Sequence, residues 1–214
     1  MSDSASVDVR PVEFEATDGA ELVGDLAVPA EPTAAAIVCH PHPQYGGNRH
    51  NNVVTALFDA LPRCGVSALR FDFRATFDHG TGERLDAIGA LDALDDELDE
   101  RFADLPRIAL GYSFGAMIAL GLADRRVSAL VLVAPPLAMA TELPIPDVPT
   151  LVLTPRHDQF SPPELSTPIV GGWSAAAPQV SIDHQAIESA DHSLVGHAEA
   201  VASRTTDWLT ALDI

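Results

Sequence analysis

Short apolar runs alternate with segments of helical spacing along most of the chain. The apolar runs, which we interpret as strands, are residues 35–39, 66–71, 108–110, 127–133 and 150–153, with a last strand around 180–187. Unbroken apolar runs of this length are typical of strands covered on both faces of a sheet. The segments with helical spacing are residues 51–61, 83–102, 116–123 and 198–212. This alternation predicts a mostly parallel sheet with right-handed crossovers.

The N-terminal part of the chain has a different pattern. Residues 12–16 and 21–28 alternate between apolar and polar positions on either side of the turn signal Asp18-Gly19, which predicts an antiparallel hairpin. The connection 135–148 is too short for a lid domain, so we expect an open site. A length of 214 residues suits one core, and we expect a single domain over residues 1–214.

Composition narrows the class of protein. Hydrophobic residues make up 47% of the chain, which excludes a disordered protein. The 31 acidic residues outnumber 12 basic residues, all of them Arg, and the formal net charge is -19. Such a balance argues against nucleic acid as a partner. It resembles the composition of halophilic cytoplasmic proteins, whose acidic surfaces need salt to screen their own repulsion.

The sequence also bears on compartment and redox chemistry. The segment Met1 to Val9 has no positive charge followed by an apolar stretch, and no later run is long enough to span a membrane, so we expect a cytoplasmic protein without a membrane partner. Cys39 and Cys64 fit neither a disulfide framework nor a paired zinc motif. We interpret both as core thiols.

One motif carries the chemistry. Gly111-Tyr112-Ser113-Phe114-Gly115 lies directly after the strand 108–110 and before a helical run, which is the context of a nucleophile elbow. The sharp turn lifts a serine hydroxyl above the sheet, and the glycines let it pack. An accidental Gly-rich turn is the alternative, but the strand before and the helix after favour Ser113 as nucleophile.

A serine needs a base, and the base needs an acid that orients it. In this context the expected chain order is Ser, acid, His. Asp158 lies in a polar segment after the run 150–153 and is the candidate acid, although an ordinary turn Asp is the alternative. His192 follows the last strand and is the candidate base. Asp191 is a weaker acid candidate, because a neighbour in sequence is poorly placed to approach the ring of His192.

The loop after residue 39 can complete an oxyanion hole. Backbone N–H groups of Phe114 and of this loop are the expected donors. Pro41 and Pro43 have no N–H, so the His42 amide is the expected second donor. An alternative is that His40 and His42 bind a metal, but no further ligand at suitable spacing completes a set. We therefore expect neither a metal nor a cofactor.

Further residues are candidates for the substrate pocket. They are His40, Gln44, Tyr45, Tyr112 and Phe160. Phe77 is a further aromatic residue that could line the pocket. For Phe77 and for the three aromatic residues of this set, a position in the core is an equally good interpretation.

Several segments together resemble a known family, the small α/β hydrolases without a cap that are related to dienelactone hydrolases and are serine-aminopeptidase-like. The segments are His40-Pro41-His42-Pro43 with Gly46-Gly47, Arg70-Phe71-Asp72-Phe73-Arg74, Phe77-Asp78-His79-Gly80-Thr81-Gly82-Glu83, Gly111-Tyr112-Ser113-Phe114-Gly115 and Ala190-Asp191-His192. The resemblance covers nearly the whole chain. It implies the α/β-hydrolase fold, with Ser113, Asp158 and His192 as nucleophile, acid and base.

This chain departs from the family pattern in two places. Arg74 continues into Ala75-Thr76-Phe77 where the family has a Gly-rich turn, and Pro155-Arg156-His157 precede the candidate acid where the family often has Gly and Asp. The first departure predicts a shortened loop and a different pocket wall. Dienelactone hydrolases use cysteine at the elbow, so Ser113 argues against the same substrate.

The expected function is that of a serine hydrolase acting on a carboxylic ester or thioester of a small molecule through an acyl-enzyme. A peptidase is a weaker alternative, because nothing recognisable binds a peptide terminus. A hydrolase-fold protein that binds a small molecule or partner without catalysis is the alternative from another class. The sequence does not predict the oligomeric state.

The charge balance predicts that salt stabilises the protein. We expect the melting temperature to rise between salt-free buffer and molar KCl, because counterions screen the repulsion among the acidic side chains. Thermal unfolding followed by circular dichroism measures this, with size-exclusion chromatography at both salt concentrations. A protein that stays folded and monomeric without added salt, with the same melting temperature as in molar KCl, contradicts the prediction.

Overall fold

The computed structural model describes residues 6–98 and 100–214. The beginning of the segment Met1 to Val9, and Asp99 of the predicted helix 83–102, lie outside the described residues. Within them the chain forms one eight-stranded sheet. Its strands are β1 (Val7–Glu15), β2 (Glu21–Pro29), β3 (Ala34–Cys39), β4 (Val66–Phe71), β5 (Arg107–Tyr112), β6 (Val127–Val133), β7 (Thr150–His157) and β8 (Ile182–Asp191).

The sheet is mostly parallel, as the sequence predicts. In space the order is β1-β2-β4-β3-β5-β6-β7-β8. The N-terminal hairpin is antiparallel, and β2 also pairs antiparallel with β4. From β4 to β8 every neighbouring pair is parallel. The loops after β3 and β5 therefore leave the sheet side by side at its carboxyl edge, where ligand sites of such sheets form.

Helices cover both faces of the sheet. They are α1 (Asn52–Ala60), α2 (Thr81–Glu97), α3 (Phe114–Leu120), α4 (Pro163–Ala176) and α5 (Ala198–Ala211). Side chains of α2, α3 and α4 form one hydrophobic cluster with the sheet, and side chains of α1 and α5 form another. Successive strand residues alternate between these clusters: Ile37 belongs to the first and Val38 to the second. This explains why the central strands are apolar throughout.

The structure contains a helix and a strand extension that the sequence pattern does not predict. Helix α4 was not predicted, because Pro168, Gly171 and Gly172 interrupt its pattern and lower its helix propensity. Burial of its Val170 and Trp173 against the sheet stabilises the helix in spite of this low propensity. Strand β7 is longer than predicted, since polar residues up to His157 still pair with β8.

The connection from β6 to β7 carries no lid, as predicted from its length. Residues 134–149 between these strands contain one short 3₁₀ turn, Leu137–Met139. No helix in the described ranges is long and apolar enough to cross a membrane.

A buried ion pair fixes the chain after β4. Arg74 donates from its guanidinium to Asp86 on α2, at 2.8 Å and 3.0 Å, and to Asp18 in the hairpin turn. The Arg74 backbone N–H also donates to Asp86, at 2.9 Å. The Asp86 side chain is fully buried. Burial raises the pKa of Asp86, and the bonds from Arg74 oppose that rise. The pair joins hairpin, loop and helix at one point.

Substituting Asp86→Ala should destabilise the protein strongly. Removal of Asp86 takes away the acceptor of three Arg74 hydrogen bonds and leaves the more exposed Asp18 as counter-charge, which costs about 3 kcal/mol and corresponds to about 6–12 °C in melting temperature for a chain of this size. Thermal unfolding measures the loss. Asp8→Ala is the matched control, because Asp8 pairs with Arg10 at the surface and exposed pairs contribute about 0–1 kcal/mol. Equal shifts for the two variants contradict the prediction.

Candidate active site

Ser113 occupies the sharp turn between β5 and α3. Its backbone has φ 55° and ψ −115°, a conformation that is costly for a residue with a side chain. Its N–H donates to the Val133 carbonyl at the end of β6, at 2.8 Å. The strained turn is therefore held by the neighbouring strand, and the hydroxyl stands above the carboxyl edge of the sheet.

Glycine at two positions makes this turn possible. A Cβ atom on Gly111 would lie 2.1 Å from the Gly115 carbonyl oxygen, and one on Gly115 would lie 2.3 Å from the Cys39 carbonyl oxygen. Both distances are far inside van der Waals contact. The start of α3 thus packs directly against the end of β3, which brings the loop after residue 39 beside Ser113.

A register shift between β7 and β8 brings Asp158 and His192 to the same level. Pro155 pairs with Ile187, an offset of 32 residues, but His157 pairs with Asp191, an offset of 34. The extra residues lie around Ser189, which has a positive φ of 60°. Asp158 and His192 each follow directly after the last paired residues. They therefore lie side by side, whereas the pairing offset at the start of the two strands would have left them two residues apart.

The structure joins the three predicted residues by hydrogen bonds. The Ser113 Oγ lies 2.8 Å from His192 Nε2, and His192 Nδ1 lies 2.8 Å from Asp158 Oδ2. The other oxygen of Asp158 accepts the backbone N–H groups of Phe160, at 2.8 Å, and Ser161, at 3.1 Å. The Asp158 side chain is fully buried and that of His192 is 13% exposed. Since the carboxylate can only accept, His192 donates from Nδ1 and leaves Nε2 to accept from Ser113.

Asp191, the weaker acid candidate, is bonded elsewhere. Its carboxylate accepts the backbone N–H of Ser193, at 3.0 Å, and the Ser193 hydroxyl. These bonds with Ser193 lower the pKa of Asp191. The Asp191 carboxylate therefore accepts hydrogen bonds within the turn that follows β8, whereas the Asp158 carboxylate contacts the ring of His192.

Tyr112 forms a hydrogen bond with the backbone of His192. Its hydroxyl donates to the His192 backbone carbonyl at 2.6 Å. The ring is buried, and burial raises the pKa of Tyr112 to about 12 with smaller contributions from Asp158 and Asp191, so the phenol keeps its proton as a donor. Tyr112, the residue before Ser113, therefore holds the backbone at His192, and no sequence pattern indicates this role.

The two residues that are predicted to supply the oxyanion donors have side chains in contact. The rings of His42 and Phe114 have centroids 4.9 Å apart. Neither backbone N–H donates a hydrogen bond to an acceptor within residues 6–98 and 100–214. The His42 carbonyl is occupied, since it accepts from the N–H groups of Tyr45, at 3.0 Å, and Gly47, at 3.1 Å.

The predicted pocket residues divide into buried and exposed ones. His40 and Tyr112 are buried beneath the surface, with 1% and 4% exposure. Gln44 is exposed in a 3₁₀ turn after β3. Tyr45 and Phe160 are exposed, and the Phe160 ring lies 4.6 Å from that of His192. Gln44, Tyr45 and Phe160 are therefore accessible to a ligand, whereas the side chains of His40 and Tyr112 are not.

The ring of His40, one of the two residues in the metal alternative, has protein partners at both nitrogens. Both of its ring nitrogens are used within the protein, by the Pro41 carbonyl and by the Phe73 N–H. In the part of the chain that the structure describes, no three His, Cys, Asp or Glu side chains are grouped to hold a metal ion.

Sequence reasoning missed a buried carboxylate beneath the loop 72–80. Glu83, the third residue of α2, accepts the N–H groups of Asp78 and Gly80, each at 2.8 Å. This anchoring places Phe77 against His42, with ring centroids 4.4 Å apart. An acidic residue three positions after a helix start is the usual signal for such a cap, but it does not indicate which loop the cap supports.

Comparison with known proteins agrees with the fold. No family model matches the chain. The uncharacterized protein RP471 of Rickettsia prowazekii (strain Madrid E) is 30% identical over 216 residues, covering 94% of this chain and 89% of that protein.

Solved structures are similar over nearly their full length. ATU1826 from Agrobacterium tumefaciens, an α/β-hydrolase-fold protein of unknown function, is 28% identical with a TM-score of 0.84, covering 94% of this chain and 95% of that one. XC6422 from Xanthomonas campestris, a serine hydrolase without a lid, is 24% identical with a TM-score of 0.78, covering 94% and 95%. The chain thus belongs to the family of small α/β hydrolases without a lid, in the dienelactone-hydrolase-like group.

Proposed function

We propose that this protein is a serine hydrolase that cleaves a carboxylic ester or thioester of a small molecule through an acyl-enzyme intermediate. The observation that carries the proposal is the unbroken series of hydrogen bonds from Ser113 through His192 to the buried carboxylate of Asp158, each 2.8 Å long. Such a series is what an activated serine requires. Solved relatives described as serine hydrolases support the reaction class.

The first half-reaction forms the acyl-enzyme. Ser113 Oγ attacks the carbonyl carbon while its proton passes to His192 Nε2, and the new C–O bond moves an electron pair onto the carbonyl oxygen. Backbone N–H groups of His42 and Phe114 stabilise that oxyanion. The tetrahedral intermediate collapses as His192 gives its proton to the departing oxygen or sulfur. Asp158 holds the ring in the required tautomer throughout and stabilises its positive charge.

The second half-reaction restores the enzyme. Water attacks the acyl carbon, loses a proton to His192 Nε2, and passes through a second oxyanion at the same two N–H groups. Collapse of this intermediate releases the carboxylic acid and returns the proton to Ser113 Oγ. No metal or cofactor takes part in these steps.

The surroundings of Ser113 suit an uncharged substrate. Large apolar side chains are exposed on loops that follow four strands at the carboxyl edge: Tyr45 after β3, Met139 after β6, Phe160 after β7 and Val195 after β8. Apolar groups on a substrate lose water when they pack against such side chains, which favours binding. We therefore propose that the ester carries an apolar acyl or alcohol group.

Labelling with a fluorophosphonate probe tests the nucleophile. We expect the wild-type protein in molar salt to be labelled at Ser113, as shown by peptide mapping, and Ser113→Ala to abolish labelling. His192→Ala and Asp158→Asn should lower kcat for a p-nitrophenyl ester by about 10³-fold or more, because the base is lost or held in the wrong tautomer.

Asp191→Asn is the matched control for this experiment. Its carboxylate adjoins His192 in sequence but bonds to Ser193, so activity should stay near that of the wild type. A folded wild-type sample that is not labelled would favour the alternative of a hydrolase-fold protein that binds a small molecule without catalysis.

The apolar rim can be tested separately with Phe160→Ala. We expect KM for p-nitrophenyl hexanoate to rise about 3- to 10-fold, since the ring provides apolar contact, with a smaller rise for the acetate. Leu165→Ala is the control, because Leu165 is similarly exposed on α4, and its KM values should not change. Equal effects on acetate and hexanoate contradict the proposed role of Phe160.

A further inference from the structure

His40 contacts the peptide group that contains one of the two oxyanion donors. Its Nδ1 lies 2.5 Å from the Pro41 carbonyl oxygen, and its Nε2 accepts the Phe73 N–H at 3.0 Å. The Pro41 carbonyl and the His42 N–H belong to the same peptide group. The side chain of His40 therefore bonds to one end of the peptide group whose other end carries the predicted oxyanion donor.

These two contacts define the proton position on the ring. A backbone N–H can only donate and a carbonyl can only accept, so Nε2 carries a lone pair toward Phe73 and Nδ1 carries the proton toward Pro41. Only the neutral Nδ1–H tautomer satisfies both. Burial lowers the pKa of His40, against smaller opposing contributions from the Pro41 carbonyl and Asp72, which keeps the ring neutral near pH 7.

The orientation of the Pro41 carbonyl determines the orientation of the His42 N–H. The bond is trans, since the described residues contain no cis peptide, so the C=O and the N–H point in opposite directions. With the carbonyl bonded to His40 on the inside, the His42 N–H faces away from it. This N–H has no acceptor in the described residues, and its residue packs against Phe114, which carries the second donor.

The neighbouring groups leave the Pro41–His42 peptide little other freedom. The ring of Pro41 restricts its own φ angle. A Cβ atom on Gly47 would lie 1.9 Å from the Pro41 carbonyl oxygen, so the returning loop closes tightly over the same carbonyl. His40 supplies the hydrogen bond in this arrangement, and Phe73 holds the ring of His40 from the next loop.

We propose that His40 is a positioning residue, which fixes the Pro41–His42 peptide so that the His42 N–H is aimed at the oxyanion. This rests on the proposed function, because the oxyanion exists only in that reaction. Pre-set donors act on charge that develops in the transition state. Loss of the His40 contact should therefore lower kcat and leave KM nearly unchanged.

Two substitutions separate the contacts of the ring. His40→Asn places an amide nitrogen where Nδ1 lies, so it keeps a donor for Pro41 but loses the acceptor for Phe73. His40→Gln places an amide oxygen near Nε2, so it keeps the acceptor for Phe73 and loses the donor for Pro41. We expect His40→Gln to lower kcat about 10- to 100-fold, less than the loss of a whole oxyanion donor, and His40→Asn to lower it less than about 5-fold.

A transition-state mimic provides a second readout. A trifluoromethyl ketone adds Ser113 to form an oxyanion that resembles the intermediate, so its inhibition constant should rise in proportion to the loss of kcat in His40→Gln. His184→Gln is the control, because His184 is a half-buried histidine whose Nε2 bonds to Thr154. Circular dichroism establishes that each variant is folded.

Several results would overturn the positioning role. They are an equal loss of kcat in His40→Asn and His40→Gln, a loss confined to His40→Asn, a change mainly in KM, and no loss in either variant. Nitrogen-15 NMR of the wild-type protein tests the contact without any variant, since the proposal requires the Nδ1–H tautomer at His40 and the opposite tautomer contradicts it.

The order of measurement separates this proposal from the proposed function. Wild-type labelling at Ser113 comes first, and its absence overturns the hydrolase and the role of His40 together. A wild-type enzyme that is labelled and hydrolyses esters, combined with undiminished kcat in His40→Gln, overturns the role of His40 alone.

Discussion

The approach of Asp158 to His192 depends on the register shift between β7 and β8. In ordinary parallel pairing the offset of 32 residues at Pro155 and Ile187 would continue, and His192 would lie two residues beyond the level of Asp158. The irregularity around Ser189 removes this difference. A local distortion of the backbone thus determines whether His192 reaches Asp158, since two residues span about 6–7 Å along a strand.

Local sequence was enough to predict the elbow and the chain order of the three residues. Ser113 lies in a five-residue pattern whose strand and helix are recognisable on both sides. Asp158 and His192 follow from the position of the last two strands. The register shift was not predictable, because Glu188 and Ser189 are polar residues that ended the predicted strand at 187 and yet lie within β8.

Most of the features that the sequence did not reveal involve contacts between distant segments. Arg74 meets Asp18 across 56 residues, and His40 meets Phe73 across 33. Helix α4 forms despite Pro168 because it buries apolar side chains against the sheet. No periodicity marks such pairs, since each depends on which elements become neighbours in space. The buried groups that support the site were therefore harder to predict than the groups that would react.

The absence of a lid has a consequence for what happens to an acyl group on Ser113. An enzyme that closes over its substrate admits water selectively, and it sets turnover by the motion of the closing element. Here the connection from β6 to β7 has no such element, and the loops around Ser113 expose their apolar side chains to solvent. In the proposed mechanism, an acyl group on Ser113 is open to small alcohols and amines as well as to water, so we expect transfer to an added alcohol to compete with hydrolysis.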